Sequence, residues 1–213
     1  NRPRSAQVVG NPVVAPLPMA LDQSFDLGRP VRLGRREDLF QLLRGPTGLV
    51  DFLDVDGDHD LDLYITSGGY EMAANDASYQ DQLYLNDGKG NFSQDLSALP
   101  LNHTSKLCVR ASDYDHDGDL DLFVSGRVEP WAYPKSVNSF IYRNDTQNGK
   151  VKFTEVNNTV AKDLNLIGLV CDALFTDFNN DGWTDLILTG EWMPLTFLQN
   201  NKGTFKNITT TTG

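Results

Sequence analysis

Cysteine and histidine are scarce in this sequence of 213 residues, which contains two Cys and three His. Two cysteines are too few for a disulfide framework, and the three histidines are too scattered to suggest zinc. Cys108 and Cys171 each stand a few residues before an Asp-rich motif, in a strand-like stretch. We expect both to be buried free thiols, and a disulfide between neighbouring repeats is the alternative.

Long apolar runs and an excess of positive charge are also missing. No run approaches the roughly 20 apolar residues that a membrane-spanning helix needs, so no membrane insertion is expected. The 29 acidic residues outnumber the 18 basic ones, which gives a net charge of −11. Nucleic acid is therefore not expected as a partner, because binding phosphates requires a basic surface. P-loop, G-x-S-x-G and H-E-x-x-H motifs are absent as well, and no catalytic residue is predicted.

Glutamate is rare among the acidic residues, of which 24 are Asp and 5 are Glu. Glu favours helices, whereas Asp favours turns, helix caps and metal-binding loops. The acids are also unevenly distributed, since residues 1–50 carry a net charge of +3 and residues 51–213 carry −14. Metal-binding loops are therefore expected in the second of these segments.

Three Asp-rich stretches recur along the chain, with spacings of 59 and 64 residues: DVDGDHDLDLYITSGG from Asp54, DYDHDGDLDLFVSGR from Asp113 and DFNNDGWTDLILTGE from Asp177. Each is followed by two strand-like runs around a polar turn, namely LYLNDGKGNF, IYRNDTQNGKVKF and FLQNNKGTF. Such runs are typical of a β-hairpin. One repeat is thus predicted to contain a strand, an Asp loop, a strand ending in Gly, a variable loop and a hairpin.

This pattern predicts an all-β fold with four short strands per unit of about 60 residues. In the third repeat the strands are predicted at 169–176, 184–189, 194–199 and 203–208. We interpret the chain as a partial β-propeller of about three four-stranded blades, at 47–106, 107–168 and 169–213. Helices are expected only at Arg36–Arg44 and near Thr159–Leu164.

Residues 1–46 match no repeat and form an N-terminal segment that is either part of a preceding blade or irregular. Closed propellers typically contain 4 to 8 blades, so three blades do not close a ring. We expect further blades of a longer chain to complete it; blades from another chain are the alternative.

The Asp loops have the spacing of cation-binding loops, D-x-[DN]-x-D-x-x-x-D. Alternate side chains of a tight loop point inward, and Ca²⁺ takes 6–8 oxygen ligands. We predict side-chain ligands at the first, third, fifth and ninth positions and a backbone carbonyl at the seventh. The predicted ligands are Asp54, Asp56, Asp58, Asp62 and the carbonyl of Asp60 in loop one (54–62); Asp113, Asp115, Asp117, Asp121 and the carbonyl of Asp119 in loop two (113–121); and Asp177, Asn179, Asp181, Asp185 and the carbonyl of Trp183 in loop three (177–185).

About three Ca²⁺ ions are therefore expected, one per repeat, with Ca²⁺ favoured over Mg²⁺ because an all-oxygen protein cage suits the larger ion. An EF-hand is excluded, because it needs a Glu at the twelfth position, where this chain has Ile65, Val124 and Leu188. The alternative is a set of solvated turns without ions. Thirteen Asp in three nine-residue windows would then repel one another without a counterion.

The D-x-D-x-D-G-x-x-D-L loops before a Gly-ended strand resemble the FG-GAP/VCBS-type repeats of integrin-α-like β-propellers over roughly residues 47–208. The resemblance is strongest to bacterial secreted proteins that often carry an ASPIC/UnbV module and are related to cartilage acidic protein. It implies a calcium-stabilised propeller in an extracellular, periplasmic or cell-surface protein, whose signal segment is not in this chain. One departure is His59, which stands where the family usually has Gly. His tolerates left-handed backbone better than most residues.

The loops after the second strand of each repeat, 67–82, 125–139 and 189–195, contain Tyr70, Trp131, Tyr133 and Trp192. Exposed aromatic rings there would stack on sugars or on a protein partner. Packing of one blade on the next is the favoured alternative. We predict a non-catalytic binding or adhesion scaffold for an unidentified protein or glycan ligand. The alternative is the propeller portion of a larger extracellular enzyme acting on polysaccharide or lipid.

Overall fold

The computed structural model describes residues 31–32 and 47–211, which form three antiparallel β-sheets with few helical turns. The first sheet contains β1 (Val31–Arg32), β2 (Thr47–Leu53), β3 (Asp62–Ser67), β4 (Gln82–Asn86) and β5 (Asn91–Gln94). The second contains β6 (Ser105–Ser112), β7 (Asp121–Val128), β8 (Phe140–Asn144) and β9 (Phe153–Glu155), and the third β10 (Leu169–Thr176), β11 (Asp185–Glu191), β12 (Thr196–Asn200) and β13 (Phe205–Asn207). The all-β prediction with four strands per repeat is confirmed.

Within each sheet, strands that follow one another in sequence are neighbours in space, and the two-residue β1 pairs with β5 at the outer edge of the first sheet. A single helical turn, α1 (Asn157–Val160), and a 3-10 turn at Lys162–Leu164 confirm the helical segment expected near Thr159–Leu164. The other predicted helix, Arg36–Arg44, lies outside the described residues.

The three sheets stack face to face. Alternate residues of each strand point to opposite faces, so the middle sheet can pack against a neighbour on each side. From β7, Leu122 and Val124 pack against the first sheet, whereas Phe123 packs against the third. The middle sheet is therefore buried on both faces. In addition, β6 contacts both β2 and β10, so the first strands of the three repeats lie side by side. This arrangement is consistent with neighbouring blades of a partial propeller.

A glycine lies at or near the end of the second strand of each repeat, where no side chain fits. A Cβ atom on Gly68 would lie 1.7 Å from the carbonyl oxygen of Lys106, and one on Gly126 would lie 1.9 Å from that of Asn138. The backbones could not approach this closely with any other residue.

Both cysteines are free thiols, as predicted; Cys108 is buried and Cys171 is half-buried. In the part of the chain that the structure describes, no helix is long and apolar enough to cross a membrane.

Candidate metal centre

Each Asp loop connects the first strand of its sheet to the second, and the three loops follow the same backbone course. The fourth and sixth positions have positive φ in all of them, at Gly57 and His59, at His116 and Gly118, and at Asn180 and Gly182. The φ of His59 is 74°. His59 therefore adopts the left-handed conformation that Gly adopts in the other two loops, as its tolerance of this region predicted.

The first Asp of each loop organises the turn around its carboxylate. Asp54 accepts hydrogen bonds from the backbone N–H groups of Gly57 (2.9 Å) and His59 (3.1 Å). Asp113 and Asp177 do the same in loops two and three, accepting from the backbone N–H groups at the fifth and sixth positions. The loops are thus folded by the chain's own hydrogen bonds.

Carboxylates at the first, third and fifth positions converge in two of the loops. In each of these triads, one oxygen of every residue lies within 4.8 Å of the others; the triads are Asp54, Asp56 and Asp58 in loop one and Asp113, Asp115 and Asp117 in loop two. Loop three has two carboxylates and an amide at these positions. There the Asn179 Nδ2 donates to Asp181 Oδ2 (2.9 Å).

The ninth-position carboxylates of Asp62, Asp121 and Asp185 are buried at the start of the second strands, where each anchors the loop to the rest of its sheet. The backbone N–H of Asn144 donates to Asp121 Oδ1 (2.8 Å), and Asn86 and Asn200 contact Asp62 and Asp185 in the same way. Burial raises the pKa of Asp62 to about 6 and that of Asp121 to about 7. Hydrogen bonds from the backbone oppose both shifts.

Three buried carboxylate oxygens in loops one and two have no hydrogen-bond partner: Asp60 Oδ1, Asp115 Oδ1 and Asp121 Oδ2. A buried carboxylate oxygen without a partner is costly. Burial, followed by the neighbouring carboxylates, raises the pKa of Asp60 and Asp115. No Lys or Arg of the described residues forms a salt bridge with a carboxylate of these loops. A hard cation would supply the missing partner, and the all-oxygen donor set suits it.

The seventh-position residues, predicted to offer carbonyls, use their backbone N–H groups to close the turn. Those of Asp60, Asp119 and Trp183 donate to the fifth-position carboxylate of their own loop at 2.9–3.0 Å. In loop one, Asp60 also has a buried carboxylate oxygen without a hydrogen-bond partner, which the sequence pattern did not predict. The Trp183 ring stacks on the His116 ring, with centroids 4.1 Å apart, which joins loops two and three.

An asparagine at the end of the third strand ties each of loops one and two to the following repeat. Asn144 Nδ2 in the second repeat donates to the Val55 carbonyl oxygen in loop one (2.9 Å), and Asn200 Nδ2 in the third donates to the Tyr114 carbonyl oxygen in loop two (2.8 Å). Each Nδ2 also donates to a backbone carbonyl in the Asp loop of its own repeat, that of Leu120 for Asn144 and that of Thr184 for Asn200. We name these two residues the clamp asparagines. The sequence reasoning missed them, although an Asn recurs in LYLN, IYRN and FLQN.

Replacing Asn200 with Asp is expected to lower the free energy of unfolding by about 1–3 kcal/mol. The variant keeps the shape of the side chain but places an oxygen against the carbonyls of Tyr114 and Thr184. Asn201→Asp, at the exposed neighbouring position, adds the same charge and is the control. Thermal or urea unfolding measures both variants. Equal stability of the two would show that the clamp contributes nothing.

Residues 54–124 match the family model of the FG-GAP-like repeat. The matched segment begins at the first Asp of loop one and ends within β7, so it contains loop one, the first hairpin and loop two. A search of curated proteins finds no match to the chain. Residues 54–124 therefore contain an FG-GAP-type repeat, as the resemblance to such repeats predicted. The third sheet repeats the same strand order and loop geometry.

Proposed function

We propose that this chain is a calcium-binding module of a secreted or cell-surface protein and acts as a non-catalytic binding scaffold. The observation that carries this proposal is the pair of Asp triads, each in a loop that has at least one buried carboxylate oxygen without a hydrogen-bond partner. FG-GAP repeats often bind calcium and are typical of extracellular proteins. Extracellular calcium modules bind Ca²⁺ with dissociation constants of about 10⁻⁴–10⁻³ M. Affinity in this range suits loops that are already folded without the ion.

The ligands proposed for loops one and two are the three clustered carboxylates, with Asp60 and Asp121 contributing the orphan oxygens. Bound Ca²⁺ would offset part of the negative charge of these carboxylates. Loop three is proposed to bind more weakly, because Asn179 replaces one carboxylate and already donates to Asp181. Fewer charged ligands give a lower affinity.

The repeat type supports the proposed role of a scaffold, since FG-GAP repeats are typically non-catalytic modules. The outer face of the third sheet supports a continuation by further blades. Leu174 is 58% exposed there, beside the half-buried Ile187 and Phe197. Ile187 and Phe197 occupy the positions at which Phe123 and Ile141 of the second sheet pack against the third. We propose that another four-stranded sheet covers this face.

Asp115→Asn is expected to abolish calcium binding at loop two and to lower the total bound calcium by one ion per chain. The substitution removes one charge from a converging side chain that has an orphan oxygen. Asp119→Asn is the charge-matched control, because Asp119 contributes no clustered side-chain oxygen and keeps its carbonyl. Isothermal titration calorimetry and metal analysis measure the number of ions. If the wild-type protein binds no calcium at millimolar concentration, the proposal is wrong.

A further inference from the structure

Four aromatic side chains lie at the end of the sheets opposite the Asp loops: Tyr70, Trp131, Tyr133 and Trp192. We name them the aromatic surface. Trp131 is 72% exposed and Trp192 is 77% exposed. Tyr70 contacts Trp131 across the first two repeats, with ring centroids 5.2 Å apart. This contact agrees with the expected packing between blades, but it leaves most of each Trp in solvent.

Hydrogen bonds hold the second half of the aromatic surface in place. Trp192 Nε1 donates to the Tyr133 hydroxyl (2.6 Å), which donates to Glu191 Oε2 (2.9 Å). Arg127 Nη2 donates to the other oxygen of the same carboxylate (2.7 Å). Side chains from two repeats are therefore fixed before any ligand arrives, which lowers the entropy cost of binding.

Both tryptophans adopt a backbone conformation that disfavours large residues. A turn is closed by the Ala132 N–H, which donates to the Glu129 carbonyl (3.1 Å), with Pro130 second and Trp131 third. Trp131 has a φ of 64°, and a turn with positive φ at its third residue favours Gly or Asn there. Trp192 has a φ of 56°. Neither burial nor backbone preference accounts for Trp at these positions, and strain of this kind is frequent at functional sites.

A polar depression of about 320 Å³ adjoins the Trp131 turn between the first two repeats. Its lining includes His103, Thr104, Glu129, Lys135 and Asn138, so hydrogen-bond donors and acceptors surround it. Lys135 and Glu129 form an ion pair there. Charged side chains thus lie next to Tyr133 and Trp192 (Arg127 and Glu191) and next to the Trp131 turn (Glu129 and Lys135).

We propose that the aromatic surface and the adjoining depression bind a glycan, an inference that rests on the proposed scaffold role. A sugar ring has apolar C–H faces and a belt of hydroxyl groups. The exposed indole rings can stack on the apolar C–H faces, and the polar groups around Glu191 and Glu129 can form hydrogen bonds with the hydroxyl groups. Aromatic residues and arginine are enriched in protein interfaces too, but the cores of those interfaces are depleted in other charged residues, and here Glu191, Glu129 and Lys135 lie beside the rings.

Tryptophan fluorescence tests the proposal directly, because two of the three tryptophans belong to the surface and Trp183 lies at the opposite end. The probes are cello-, xylo-, manno- and chito-hexaose, titrated into the calcium-loaded chain. We expect saturable binding of at least one hexaose. Trp192→Ala should weaken it at least tenfold, and Leu96→Ala, at an exposed leucine outside the surface, should not.

Trp131→Gly separates binding from folding. Glycine suits the positive φ of this position, so the melting temperature should stay unchanged or rise while glycan affinity falls at least tenfold. The proposal is wrong if none of the four hexaoses alters the fluorescence, or if both tryptophan variants bind like the wild type. A separate calcium titration of the same sample tests the scaffold proposal, so the two failures are distinguishable.

Discussion

Chelation of calcium is expected to lower the melting temperature of this protein by about 10 °C, and added calcium should restore it. The loops bring acidic side chains together, and in loops one and two buried oxygens lack partners. A ligand that binds the folded loops and hardly the unfolded chain stabilises the fold by RT ln(1 + [L]/Kd), and calcium is proposed to act in this way. With a Kd of about 10⁻⁴ M and calcium near 10⁻³ M, each site contributes roughly 1.4 kcal/mol.

Loops one and two together contribute about 3 kcal/mol and the weaker loop three adds less than they do, which is a large share of a typical domain stability of about 5–15 kcal/mol. For a domain of this size, each kcal/mol corresponds to about 2–4 °C in melting temperature. Differential scanning calorimetry in EGTA and in 1 mM calcium (a concentration of about 10 Kd) measures the shift. Magnesium at the same concentration is the control and should restore less, since the smaller ion keeps its water ligands. Superimposable melting curves with and without calcium would contradict the expectation.

Replacing Lys106 with Met is expected to destabilise the protein by about 3–5 kcal/mol. The Lys106 side chain is fully buried between the first two repeats, with 0% exposure. Its Nζ donates to the carbonyl oxygens of Tyr79 (2.7 Å), Asn102 (2.9 Å) and Thr104 (2.7 Å). It also lies 3.4 Å from Asp81 Oδ1.

Asp81 is buried as well and accepts from the Ser67 N–H (2.7 Å) and the Tyr64 hydroxyl (2.8 Å). Burial lowers the pKa of Lys106 and raises that of Asp81, and the charge of each partner opposes both shifts. The charge of each partner, the three carbonyls around the ammonium and the two donors to the carboxylate favour the ionised forms. Removing the ammonium leaves a buried carboxylate and three carbonyls without their donor, and such losses are severe.

Lys135→Met is the matched control, because Lys135 also pairs with a carboxylate but is 58% exposed. Exposed ion pairs contribute about 0–1 kcal/mol. Urea unfolding in saturating calcium measures both variants. Adding Asp81→Asn to Lys106→Met should recover part of the loss, since it removes the uncompensated charge. If Lys106→Met and Lys135→Met unfold at the same urea concentration, the buried pair does not stabilise the contact between repeats.

The strands were predictable because local signals agree with one another in every repeat. In the third repeat, the apolar run before loop three predicted a strand at 169–176, and β10 has these bounds. Turn residues around Lys202 and Gly203 predicted the last hairpin, and β12 and β13 lie within two residues of the predicted positions. The D-x-D-x-D spacing likewise predicted the convergence of the first three carboxylates in loops one and two.

Contacts between distant residues could not be predicted from local patterns. A lysine in a strand is normally expected at the surface, and only the three-dimensional structure shows Lys106 buried beside Asp81, 25 positions earlier in the chain. The ninth-position Asp residues fit the spacing of a cation-binding loop. Their second role, which is to accept a hydrogen bond from the third strand of the sheet, depends on the register between the second and third strands, such as β3 and β4. The clamp asparagines act across 86 and 89 positions of sequence.

The clamp asparagines also mean that one sequence repeat does not coincide with one structural unit, because the Asp loop of a repeat is held by an Asn of the following repeat. A segment cut from one Asp motif to the next would contain an Asp loop but not the Asn side chain that donates a hydrogen bond to it. For recombining such modules, the favourable cut points lie after the hairpin of the following repeat. A chimera joined there would transfer loop two together with Asn200 and keep the hydrogen bond to Tyr114.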